Sequence, residues 1–301
     1  LSFEPILLAP EAEEEPVYPY RRVWRTSWLE VGTLFLAATF IYAFGSVLEV
    51  LPADSRSPRL KLGIALLPFL AWLVFSYRGE RRALQPRHGL IGMAILGALV
   101  ANGVAIPLGE HLFMTERWLP TAGFFGRVIG YTLTLGFTAE FLKYAVLRYV
   151  AWPERFQQRL DGIAYALAVS IGYAMVFNVR AALVSDMTLI ATALRVASIT
   201  FSHLATGLIM GFFLAELRIG RPPIFWLPLG LFIASFLSGL YYAFRGVAIV
   251  GGLNVESTAS SPIRGLALAF GLVAVMFVSF AFVIENADAR MEALTGRRYT
   301  L

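Results

Sequence analysis

Long apolar runs, repeated from end to end of this 301-residue chain, leave it few ways to fold. They fall at about 28–51, 60–77, 89–109, 123–150, 161–184, 195–217, 224–244 and 264–285. Each is roughly 17–28 residues long, and a helix needs about 20 to cross a hydrocarbon core of ~30 Å. Inside lipid every backbone N–H and C=O must find its partner within the protein, so such runs are read as helices. Hydrophobic residues make up 58% of the chain and charged residues 15%, against about 25% charged in a soluble domain. The expectation is an all-α, polytopic transmembrane bundle of about eight spans.

Arg and Lys in the connections set the orientation. Fifteen lie in the N-terminal tail, the second, fourth and sixth connections and the C-terminal tail. Nine lie on the opposite side, among them Arg117, Arg127, Arg180, Arg195 and Arg245, and Lys143 lies inside a span. The excess predicts that both termini are cytoplasmic, as in a bacterial inner-membrane protein. The net charge of +5 sits at segment ends, where headgroups lie, and does not read as a nucleic-acid surface. Other membrane proteins and lipid are the expected partners.

Residues 1–23 differ in composition from the rest. Glu11, Glu13, Glu14 and Glu15 cluster between Pro10 and Pro16. An acidic, Pro-rich stretch has too little apolar surface to bury a core. It reads as a solvated arm or as an extended strap lying on a partner, with residues 24–301 forming the bundle.

Several function classes lose support at this stage. Without Cys there is no disulfide, thiolate ligand or Cys nucleophile. With His203 as the single imidazole inside a span, a self-contained haem or iron–sulfur site is not expected. No internal repeat or paired broken helices point to a carrier.

The polar residues inside the spans carry what chemistry there is. Glu140 and Lys143 stand three apart in an apolar helix, where each charge costs about 2.5–3.5 kcal/mol on insertion scales. At that spacing they share a face and can neutralise each other. The competing reading makes Glu140 a general base or a metal ligand. His203, in Phe201-Ser202-His203-Leu204-Ala205-Thr206-Gly207, is read either as hydrogen-bonded to a neighbour or as a ligand. Asp161, before Gly162, reads as an N-cap carboxylate. Arg180 and Arg195 flank a connection and read as snorkelling side chains. Ala166 with Ser170, and Gly207 with Gly211, have the four-residue spacing of small residues at close helix crossings.

In this order and spacing the residues resemble the PrsW family of intramembrane metalloproteases, which is related to the CAAX-type membrane proteases. The family pattern has Glu-Glu-x-x-Lys on one helix, matched here by Ala139-Glu140-Phe141-Leu142-Lys143. It continues with Asp-Gly and a glycine-containing aromatic helix ending in Glu-Asn, matched by Asp161-Gly162 and by Gly172-Tyr173 through Phe177-Asn178. A His ahead of Thr-Gly follows, matched by His203 and Thr206-Gly207. A second His before Tyr or Trp is represented by Ser238-Gly239-Leu240-Tyr241-Tyr242. The likeness covers about residues 130–245 and implies the family's fold.

The departures bear on the chemistry. Where the pattern has Glu, Glu and His, this chain has Ala139, Phe177 and Ser238. Glu140, Lys143, Asp161, Asn178 and His203 match. A catalytic zinc has three protein ligands and an open position for water, so Glu140 and His203 alone are too few. His88 and His111 fall in connections, and Glu285-Asn286 stands out of order at the end of the last span. The expectation is no metal or cofactor, with zinc on Glu140 and His203 as the alternative.

Three functions follow. The first is a non-catalytic relative of the protease, acting as a subunit, scaffold or helix-binding partner in a membrane complex. The second is an active metalloendopeptidase with an altered site, using Glu140 and His203 as catalytic residues. The third is an accessory subunit of an electron-transfer or transport complex.

Overall fold

The structure, a computed structural model, describes residues 57–82, 86–157, 159–184, 189–219, 222–248 and 271. Helix α1 is Pro58–Arg82. Helix α2 is Leu90–Phe113, with wide π turns at Ala101–Ala105 and Leu108–Phe113. A single turn, α3, is Thr115–Trp118. Helix α4 is the continuous run 124–151, with π turns at Thr132–Gly136 and Leu147–Ala151. Helices α5, α6 and α7 are Arg159–Val184, Leu189–Ile219 and Trp226–Ala248. Every described element is helical.

Five of them (α1, α2, α5, α6 and α7) are long and apolar enough to cross a membrane. The chain is therefore an integral membrane protein. Helix α4 is not among the five, because Arg127, Glu140, Lys143 and Arg148 dilute its apolar character. The expected spans at 28–51 and 264–285 (apart from residue 271), and the tail 1–23, lie outside the described residues.

The third expected span runs further than its sequence signal. Pro107 removes a backbone donor and would crowd an ordinary α-helical turn. The π turns on either side of it loosen the register, and the helix passes through to Phe113. His111, expected in a connection, therefore lies in the last turn of α2. Helix α4 is interrupted by its two π turns, whereas α6 is unbroken over 31 residues.

Helix α6 is the centre of the bundle: 94% of its spanning window is buried, against 17% for α1. Helix α5 packs on α6, α2 and α1, and α7 packs on α6 and α4. Small residues set these crossings. Gly207 faces Ser170, and Gly211 faces Ala166 and the Gly162 carbonyl, so the two four-spaced pairs of α5 and α6 meet each other. Gly97 of α2 lies against the Val169 carbonyl, and Gly172 of α5 against the Ala94 carbonyl. Gly136 of α4 lies against the Ser235 carbonyl of α7, and Gly239 of α7 against Thr132 in the π turn. The remaining core is filled by large side chains such as Met93, Tyr165, Ile209, Met210, Phe213 and Leu214.

Candidate functional site

Glu140 and Lys143 sit on α4 just past its first π turn, where the bundle buries them. Their side chains are 0% and 1% exposed, and Lys143 Nζ lies 2.8 Å from Glu140 Oε1. Lys143 also donates to Thr206 Oγ1 at 2.9 Å and to the His203 carbonyl at 3.4 Å, both on α6. Its ammonium lies 5.9 Å from the centre of the Tyr173 ring on α5. Thr206 can accept from Lys143 because its own hydroxyl donates back to the Ser202 or His203 carbonyl, at 3.1 and 3.2 Å. The ion pair thus joins three helices through one ammonium. Burial without such partners would cost several kcal/mol for each ion, on the order given by desolvation.

His203 is buried, and its imidazole is held by aromatic rings. Tyr173 meets it edge-on at 5.0 Å and Phe177 lies at 5.8 Å, with Tyr173 and Phe177 stacked at 5.3 Å. Its Nδ1 is buried without a hydrogen-bond partner, as is Glu140 Oε2. Ala139 belongs to the same apolar surroundings, in a cluster with Ala101, Ala105 and Tyr173 against which Leu142, Val176 and Phe177 pack. Positions 139 and 177, where the resemblance has carboxylates, therefore face a single apolar cluster. Asn178 points to α6, donating through Nδ2 to Thr200 Oγ1 at 2.9 Å. Ser238 is fully buried on α7 with its hydroxyl unpartnered. Nearby, Tyr241 OH donates to Ser198 Oγ at 3.0 Å and ties α7 to α6.

Asp161 is elsewhere. It lies about 25 Å along α5 from Asn178, at 1.5 Å of rise per residue. The N-cap reading is corrected: α5 begins at Arg159, and Asp161 in its first turn accepts from Gln157 N, ahead of the helix, at 3.0 Å. Its other oxygen accepts from Arg87 Nε at 2.7 Å, and Arg87 also pairs with Glu80 at 3.0 Å. Arg159 pairs with Glu216 at 2.7 Å at the same end. These contacts fasten α1, the 86–89 connection, α5 and α6 together. Arg180, read as snorkelling, pairs with Glu110 of α2.

Sequence reading passed over Thr206 and Tyr173 as partners of Lys143. The signal for Thr206 was present, since it stands three residues after His203 and shares that face of α6. Tyr173 offered none, because an aromatic residue on a buried helix looks like ordinary core.

The donors present do not fit a catalytic zinc. Among the described residues no three His, Asp or Glu side chains gather as a metal group. Glu140 and His203 offer one carboxylate and one imidazole, and the ammonium of Lys143 already neutralises that carboxylate. The neighbouring positions that would complete three ligands are occupied by methyl and phenyl groups.

A family model described as PrsW family intramembrane metalloprotease matches residues 85–260. A protein called Protease PrsW from Halalkalibacterium halodurans is 30% identical over 186 residues, covering 60% of this chain and 81% of the relative. Protease PrsW from Bacillus subtilis is 27% identical over 190 residues, covering 60% and 80%. The protein of that name from Geobacillus kaustophilus is 26% identical over 187 residues, covering 60% and 77%. No solved structure matches the chain significantly.

Proposed function

The chain belongs to the PrsW family of intramembrane metalloproteases, and from that premise we propose that it is a member without the peptidase reaction. It acts as a subunit, scaffold or helix-binding partner within a complex of the bacterial cytoplasmic membrane. The observation that carries this reading is the apolar cluster holding both Ala139 and Phe177 beside an ion-paired Glu140. An activated water needs a base and a metal held by several ligands. Here the side chains that would hold them are apolar, and the remaining carboxylate is engaged by Lys143. The helix packing is intact, and a bundle of this kind can hold another transmembrane helix through small-residue crossings and shape.

One observation favours the active alternative: Glu140 Oε2 and His203 Nδ1 are buried without hydrogen-bond partners. In that reading Glu140 is the base and His203 a ligand. Metal analysis of the full-length chain, purified without chelators, separates the two. The non-catalytic reading predicts zinc far below one atom per chain, unchanged by His203→Ala. One tightly held zinc per chain, lost in H203A, would contradict it.

A further inference from the structure

Helix α1 is the least buried of the five candidate spans, and its exposed apolar positions fall on one narrow stripe. Leu60, Gly63, Leu67, Leu70, Val74 and Tyr77 are exposed and follow one another at alternating steps of three and four. That spacing is the seam on which a second helix packs with a slight left-handed twist. The other face of α1 is already used: Ala65 packs with Ala182 of α5 and Val196 of α6. At Gly63 a Cβ would meet open space, so an incoming backbone can approach the seam closely there. The region matched to the family begins at residue 85, so α1 stands outside it.

The sequence ahead of α1 carries a complementary pattern. Residues 52–57 join the apolar run 28–51 to the start of α1 at Pro58. A connection of that length reaches about 20 Å at most, and helices joined so closely pack as antiparallel neighbours. Glu30 and Glu49 stand nineteen residues apart in the run, and so do Arg59 and Arg78, both exposed on α1. Laid antiparallel with Glu49 beside Arg59, the run brings Glu30 beside Arg78. In that register Leu48, Ile41, Leu34 and Val31 come opposite Leu60, Leu67, Val74 and Tyr77. Gly45 comes opposite Gly63, and Ala38 opposite Leu70, whereas Thr33, Thr39 and Ser46 all fall off the seam. One register therefore sets both carboxylates, costly if left facing lipid, beside cations and matches every seam position with an apolar or small residue.

We propose that the exposed seam of α1 is the docking face for this chain's own segment 28–51, held antiparallel in that register as a helical hairpin against the family core. The proposal does not depend on whether the Glu140 site is catalytic, and it makes this face of α1 unavailable to a partner helix. The chain has no Cys, so introduced cysteines report contacts without background. Full-length protein in membranes carries Ile41→Cys with Leu67→Cys and a protease site inserted after Asp54. Under mild oxidation and cleavage the two fragments should stay joined, and they should separate on reduction. Ala43→Cys with Leu67→Cys places the first cysteine at a similar depth on the opposite face. That pair should cross-link at least about tenfold more slowly, because a disulfide needs Cβ atoms about 4 Å apart. E30R should slow the I41C/L67C cross-link, and E30R/R78E should restore it. Equal rates for the two cysteine pairs, or no cross-link in either, overturn the proposal and leave the seam to lipid or another protein. Dimers of twice the chain mass in place of joined fragments overturn it in favour of a second copy. Should I41C/L67C fail to accumulate, Ala38→Cys with Leu70→Cys gives the same readout in the same register.

Discussion

Replacing Glu140 alone with Ala should destabilise the bundle by about 3–5 kcal/mol, whereas replacing Glu140 and Lys143 together with Met should cost far less. The single change leaves the Lys143 ammonium buried at 1% exposure with Thr206 and one carbonyl as its remaining hydrogen-bond partners. The double change removes both charges and their desolvation cost together. It also leaves Thr206 satisfied, because its hydroxyl still has the Ser202 and His203 carbonyls within reach. Met is flexible and close in volume to both residues, so the space left is refilled. Reversible unfolding in mixed micelles measures both variants. Equal losses in the two would mean that the pair does something beyond neutralising itself.

Replacing Gly172 with Leu should be at least as damaging, with a loss of about 3 kcal/mol or more and a failure of α2 and α5 to pack. A Cβ at position 172 would run into the Ala94 carbonyl, and one at position 97 into the Val169 carbonyl. Both obstacles are backbone, so no side-chain rotation can relieve them and the two helices must separate. Gly92, on the same helix α2, has open space at its Cβ position. Gly92→Ala should therefore be neutral or stabilise slightly, by about 0.5–1 kcal/mol. The contrast between G172L on α5 and G92A on α2 separates the close crossing of the two helices from a general effect of replacing a glycine in either of them. Size-exclusion profiles and unfolding midpoints report it, and similar behaviour of the two variants would count against the crossing.

The bundle was legible because lipid leaves apolar runs one way to satisfy their backbone. The ends of α2 were not, since the π turns that carry the helix past Pro107 to Phe113 depend on packing and not on local preference. The Glu140–Lys143 contact could be read from the spacing alone. Its third helix could not, because Thr206 and Tyr173 reach Lys143 only through the way α5 and α6 cross. The same crossings explain why Asp161 and His203, both matched to the family pattern, belong to different places. One is tied to Arg87 at an end of α5, and the other lies among aromatic rings near its far half. A pattern along the chain records which residues are present and not which of them meet.

The most direct test is cleavage itself. Full-length protein is reconstituted with zinc and a single-span model substrate, and the products are compared with those of E140Q and of a chelated sample. A bundle lacking the side chains to hold an activated water predicts intact substrate in all three. Product that accumulates with the unmodified chain and disappears in both controls would show that Glu140 and a bound metal still support catalysis, and would contradict the account.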